Sequence, residues 1–169
     1  SVYGDGHPLP LKESCYPLPK SPYALSKLSG ENYMRIFYDL YGVKTVSLRY
    51  FNVFGPRQPP NSQYSGVIPL FIKAVQAGEQ PLIYGDGEQS RDFTYVSNVA
   101  RANLLASEAK KGFGEAFNIA DGLGVSVNSL AERIISFFKK DMKPRYEPAR
   151  AGDVKHTIAD LSKSRDVLG

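Results

Sequence analysis

Ser21-Pro22-Tyr23-Ala24-Leu25-Ser26-Lys27 sets a phenol and an ammonium four residues apart, which on a helix means one face and one turn. Ser21 suits an N-cap and Pro22 is tolerated at the first helical position. Leu25, Leu28, Ile36, Phe37 and Leu40 supply much of a buried stripe before Gly42 ends the pattern. Together they predict a helix over residues 22–41. On it, the Lys27 charge would favour phenolate at Tyr23. Bringing a phenol from about pH 10 to about pH 7 takes roughly 3 pKa units, or about 4 kcal/mol. Tyr16 and Lys20 repeat the spacing, but Pro17 and Pro19 between them exclude the helix that would join them.

Outward from that helix, the prolines at 8, 10, 17, 19 and 22 make residues 3–22 read as an extended surface loop. Thr45-Val46-Ser47-Leu48-Arg49-Tyr50 reads as a strand, and Gly55-Pro56-Arg57-Gln58-Pro59-Pro60-Asn61 breaks the pattern. A helix follows over about 68–77, then a strand at Leu82-Ile83-Tyr84 and an extended piece at Phe93-Thr94-Tyr95-Val96. Ser97 is expected to cap a helix over about 98–110. Ala116-Phe117-Asn118-Ile119 reads as a strand, and Ser129-Leu130-Ala131-Glu132 as a capping box for a helix ending near Phe138. Arg145-Tyr146-Glu147 would be a strand, with Asp160 capping a last short helix. The alternation argues α/β. Glycine pairs at 85/87, 112/114 and 122/124 lack a third glycine at the right offset, so a dinucleotide phosphate loop is expected outside these residues.

The 169 residues, 42% hydrophobic and 22% charged, suffice for one globular domain or part of a larger one. A net charge of +4 suits an anionic ligand. No Lys/Arg run exceeds two residues, and no helix face interleaves basic and aromatic side chains, which argues against nucleic acid. Cys15 is the single cysteine and cannot form an internal disulfide. His7 and His156 lack companions at ligand spacing, so no metal is expected. Without an 18-residue apolar run or a signal-peptide pattern at Ser1, the expectation is a cytoplasmic protein away from membranes.

Val2-Tyr3-Gly4, Ser21-Pro22-Tyr23-x-x-x-Lys27, Leu48-Arg49-Tyr50-Phe51-Asn52-Val53-Phe54-Gly55 and Ser90-Arg91-Asp92-Phe93 cover nearly the whole chain in that order. Together they resemble the extended short-chain dehydrogenase/reductase superfamily, and within it the NAD-dependent epimerase/dehydratase family of nucleotide-sugar enzymes. The resemblance implies a C-terminal portion. Residues 1–54 would finish a Rossmann-type parallel sheet, and 55–169 would form mainly a smaller mixed α/β nucleotide-sugar domain, with some elements returning to the sheet. The first half of the Rossmann domain, and the family's catalytic Ser or Thr, would lie ahead of Ser1.

By the same resemblance, Tyr23 and Lys27 are the catalytic pair and touch NAD, and Tyr50 lies near the nicotinamide. Asn52 and Arg91 would meet the diphosphate, Val67, Ile83 and Tyr84 would line the nucleotide, and Arg150 and Asp153 would hold phosphate and ribose. Thr157 would face the sugar's 2-substituent, small enough to admit an N-acetyl group. Ser1 stands where related dehydratases, and the decarboxylases that resemble them, carry a glutamate, and serine cannot serve as that acid/base near neutral pH. The expected reaction is therefore 4-epimerisation of a UDP-hexose, with the chain alone inactive and the helix at 22–41 contributing to a homodimer. Alternatives are a UDP-glucuronate 4-epimerase, for whose carboxylate Arg57 is a weak candidate, a 4,6-dehydratase or decarboxylase, or a noncatalytic nucleotide-sugar binding module.

Overall fold

The computed structural model describes residues 1–60, 66–149 and 154–169. Helix α1 spans Pro22–Tyr41. Ser21 is extended and its Oγ accepts the Ala24 N–H at 3.1 Å, satisfying a donor that the first turn would otherwise leave open. Gly42 closes the helix in the left-handed region, φ 65°, and its N–H reaches the Tyr38 carbonyl at 2.9 Å.

Strand β1 (Val46–Tyr50) lies parallel to β6 (Glu115–Ile119), in register from Val46 opposite Glu115 to Tyr50 opposite Ile119. A parallel pair needs a crossover, and residues 51–114 serve as one. Within that crossover and beyond it, β2 (Val53–Phe54) runs parallel to β5 (Thr94–Tyr95), and β3 (Leu82–Tyr84) to β8 (Arg145–Glu147). Strand β4 (Ser90–Asp92) is antiparallel to β7 (Gly124–Ser126). The architecture is α/β, with four short two-stranded sheets among the described residues.

Two apolar clusters organise these pieces. Phe71 of α2 (Val67–Gln76), Ile83 of β3, and Val127 and Ala131 of α4 (Val127–Phe137) form one. Val2, Tyr3, Leu11, Phe51 and Ala159 form the other. The second corrects the surface reading of residues 3–22. The prolines keep the segment extended, yet Leu11 accepts from the Asp160 N–H at 2.8 Å and donates to the Ile158 carbonyl at 2.7 Å, so its side chain is drawn inside.

The apolar stripe of α1 is not buried in this chain: Leu25, Ile36, Phe37 and Leu40 are 55%, 40%, 47% and 68% exposed. Only Ala24 of the helix is buried, and Leu28 of the stripe is partly buried against the Val2, Tyr3 and Phe51 cluster. Three caps also fall elsewhere than expected. Helix α3 (Val96–Glu108) continues directly from β5, so Ser97 lies in its first turn and caps nothing. Ser126, not Ser129, caps α4, accepting the Ser129 N–H at 3.1 Å. Asp160 stands one residue ahead of the capping position of α5 (Ser162–Leu168), but its Oδ1 still accepts the Ser162 N–H at 2.9 Å. That bond is the main reason its carboxyl sits below the usual range. No helix among the described residues is long and apolar enough to cross a membrane.

Candidate functional site

Asn52 follows β1 at a positive φ of 27°, a region costing of order 1–3 kcal/mol for a side-chain-bearing residue. Two bonds hold it there: its Nδ2 donates to the Asp92 carbonyl at 2.9 Å and its own carbonyl accepts the Thr94 N–H at 3.2 Å. Asn52 so held lines a cavity of about 400 Å³, a size that suits a small-molecule ligand. Val67, Ile83, Tyr84 and Arg91 line the same cavity, Val67 from the first turn of α2, Ile83 and Tyr84 from β3, and Arg91 from β4. Gln58 and Gln89 add amides to its wall, and Phe54, Phe93 and Val127 add apolar surface.

Arg91 is half-buried, and its Nη1 donates to the carbonyls of Ser90 at 2.9 Å and Lys155 at 3.3 Å. Those bonds fix the plane of the guanidinium at the cavity wall, the geometry in which a planar fork recognises phosphate oxygens. Beside it, Asp92 is fully buried. Its carboxylate accepts the N–H groups of Asp121, Gly122 and Ala159 at 3.0, 3.1 and 3.0 Å. Burial pushes the Asp92 carboxyl above its usual range, opposed by those three donors.

Thr157 does not line this cavity. Its N–H donates to the Ser90 carbonyl at 3.1 Å, one residue from Arg91, and its Oγ1 is buried without a hydrogen-bond partner among the described residues. Arg150 and Asp153 lie outside the described residues. Tyr50 is placed elsewhere: its OH donates to Asn103 Oδ1 at 3.0 Å, and it lines a separate space of about 570 Å³ between β1 and α3.

Tyr23 and Lys27 share one face of α1, with Lys27 Nζ 5.2 Å from the Tyr23 ring centroid. Tyr23 is 55% exposed, and neither residue lines the Arg91 cavity. One turn past Lys27, Glu31 takes a bidentate pair from Arg49 of β1, with Nε at 2.8 Å and Nη2 at 2.5 Å. The Arg49 guanidinium also lies 4.8 Å from the Tyr3 ring centroid. Burial works against the Arg49 charge, but Glu31 and Tyr3 together outweigh it and hold the group charged. Burial likewise pushes the Tyr3 phenol up, and its OH donates to Asn118 Oδ1. The sequence reading missed Glu31 and Arg49. The signal was present, since Tyr23, Lys27 and Glu31 recur every four residues on one helix face.

Residues 1–120 match the model of the NAD dependent epimerase/dehydratase family. The chain belongs to this family. Among solved structures it is similar to the UDP-N-acetylglucosamine 4-epimerase of Methanobrevibacter ruminantium in complex with UDP-N-acetylmuramic acid, at 48% identity and a TM-score of 0.94 over 99% of this chain and 53% of that one. It is similar also to the UDP-glucose 4-epimerase of Thermotoga maritima with UDP-glucose, at 43% identity and a TM-score of 0.93 over 99% of this chain and 54% of that one. A third is the UDP-glucuronic acid 4-epimerase of Bacillus cereus with UDP-glucuronic acid and NAD, at 34% identity and a TM-score of 0.88 over 99% and 52% of the two chains. The chain spans about half the length of the curated relatives it matches, 53% for each of two. The α/β chain, with β1 and β6 paired in parallel, shares its fold with these Rossmann-type epimerases.

Proposed function

We propose that the protein carrying this chain interconverts UDP-hexoses at carbon 4, and that this chain supplies the nucleotide-sugar site and half of the catalytic machinery. The observation that carries the proposal is the cavity where Asn52, Tyr84 and Arg91 meet. An aromatic and apolar wall suits a nucleobase and ribose, and a held guanidinium suits a diphosphate. Residues 1–54 would complete the cofactor-binding sheet and 55–169 would form mainly the sugar-nucleotide part, with β6 returning to pair with β1.

The chain fits the reactive end of NAD and not its phosphates. Tyr23 and Lys27 present a phenol and an ammonium on an open helix face, whereas no glycine-rich phosphate loop occurs in the sequence. Bound NAD supplies a hydride acceptor and returns the hydride. Tyr23 would take the proton from the sugar's 4-hydroxyl and give it back after the 4-keto sugar has turned its other face. Lys27 would favour the phenolate through its charge and hold the nicotinamide ribose. Tyr50, with its OH committed to Asn103, would meet the nicotinamide through its backbone.

Arg150 and Asp153 would grip phosphate and ribose, and Thr157 would leave room for an N-acetyl group beside carbon 2. The intact enzyme is therefore expected to turn over UDP-N-acetylglucosamine as well as UDP-glucose, and Thr157→Tyr to abolish the first while sparing the second. Exclusion of UDP-N-acetylglucosamine and its 4-epimer by the unmodified enzyme would sink this assignment. A UDP-glucuronate substrate is less well served, since Arg57 is exposed and does not line the cavity. The exposed apolar face of α1 would pair with a second copy, and the single Cys15 suits a reducing, cytoplasmic setting. Without the cofactor half, this chain is expected to bind UDP and turn nothing over. Calorimetry with UDP beside an epimerisation assay on the same sample tests both halves of that statement.

A further inference from the structure

Asp92 joins four stretches of chain that are far apart in sequence. Its carbonyl holds the strained Asn52, and its Oδ1 accepts from Asp121. Its Oδ2 accepts from both Gly122 and Ala159. Arg91 precedes it directly. Ala159 ends a segment laid along β4, where Ser90 N–H donates to the Lys155 carbonyl at 2.9 Å and Thr157 N–H to the Ser90 carbonyl at 3.1 Å. Ser90 Oγ also lies 2.9 Å from His156 Nδ1. The Asp92 carboxylate is the last link of that zipper and the one that ties it to the turn after β6.

We infer that Asp92 is the positioning residue of the nucleotide-sugar site, acting through backbone N–H groups to set Asn52, Arg91 and Thr157 at fixed distances from one another. Three features argue beyond ordinary core packing. The side chain is fully buried, a placement that burial penalises for a carboxylate. Its four hydrogen bonds reach three other segments, at 52, 121–122 and 159, of which the first bears a candidate ligand contact and the last lies two residues from one, while Arg91 adjoins Asp92 itself. An uncharged isostere cannot replace it. Asparagine offers one acceptor oxygen and turns two N–H groups toward backbone donors, leaving at least one of the three N–H groups, of which that of Ala159 is buried, without its acceptor.

The inference rests on the UDP-hexose reading above, so the experiment pairs two variants in the protein carrying both halves. Asp92→Asn is expected to raise KM for UDP-glucose tenfold or more with kcat within threefold, and to lower the preference between N-acetylated and plain sugars. Arg91→Ala serves as the control for the site itself. If Arg91→Ala raises KM and Asp92→Asn merely lowers kcat at unchanged KM, as a smaller folded fraction would, the positioning role is overturned and the site stands. If Arg91→Ala leaves KM and UDP affinity unchanged, the site reading fails and the inference with it. Should Asp92→Asn not fold, hydrogen exchange on the unmodified protein decides. Saturating UDP is expected to slow the amides of Asp121, Gly122 and Ala159 at least fivefold, and exchange unchanged by UDP overturns the proposal.

Discussion

The helix bearing Tyr23 and the cavity bearing Arg91 are built to different degrees of completion by one chain. Around Arg91, α2, α4, β3 and β4 bring an apolar cluster, a buried carboxylate and a held guanidinium together at one cavity. Along α1, Tyr23, Leu25, Phe37, Leu40 and Tyr41 stand 55%, 55%, 47%, 68% and 69% exposed. Full burial of one such side chain contributes about 1.5–3 kcal/mol, so α1 leaves much of its packing unrealised. On the proposed function the difference would separate binding from chemistry: the first would be encoded inside these residues, and the second would wait on surfaces that α1 presents outward.

The sharpest way to break that separation is to remove the phenol. Tyr23→Phe in the protein carrying both halves is expected to lower kcat by about 10²–10⁴-fold, the range of a lost acid/base group, with UDP affinity within threefold. A large loss of UDP affinity at normal turnover would merge the two regions again. Arg91→Ala should do the reverse, weakening UDP by about 10–100-fold for the loss of charge-assisted bonds to phosphate, with a smaller change in kcat. Calorimetry and steady-state kinetics on the same samples read both.

Glu31→Gln probes the link between the two regions. Arg49 and Glu31 side chains are 9% and 19% exposed, so removing one partner leaves a buried charge and is expected to cost about 3–5 kcal/mol of stability, measured by denaturant unfolding. Since Glu31 lies one turn from Lys27, the surviving folded enzyme should lose turnover before it loses UDP affinity. Equal losses in both would mean that the pair supports the whole molecule and not α1.

What the sequence revealed divides along the same line. Helix α1 was legible to the residue because Ser21, Pro22 and Gly42 mark its ends by local chemistry. Strands β1, β3, β6 and β8 were legible within a residue from β-branched and aromatic runs. Strands β4 and β7 were not. Ser-Arg-Asp and Gly-Val-Ser have no alternation, and they pair because Asp92 and the 155–159 segment hold them, which is long-range information. Nor could periodicity have shown that the α1 stripe would face outward, since the pattern reports a face and not its partner. The cavity residues were legible only through a family's motifs. Asp92 stood inside one of those motifs, but its three N–H donors come from 121, 122 and 159, which only the fold brings together.

The smallest effect tests the comparison most finely, because it applies one chemical change to both regions. Ser21 and Ser126 are N-caps of the same kind, each accepting an N–H three residues on at 3.1 Å. Alanine at either is expected to cost about 1 kcal/mol of stability, by the same loss of one capping bond. The functional consequences should differ. Ser21 lies two residues from Tyr23 on a helix with little burial to hold it, so fraying its first turn displaces the phenol, and Ser21→Ala should lower kcat severalfold at constant KM. Ser126 caps a helix locked by Val127, Ala131 and Ile135, so Ser126→Ala should leave UDP affinity and kcat within twofold. Identical kinetic effects from the two caps would show that α1 is held as firmly as the cavity, and the contrast between the regions would then be one of exposure without mechanical meaning.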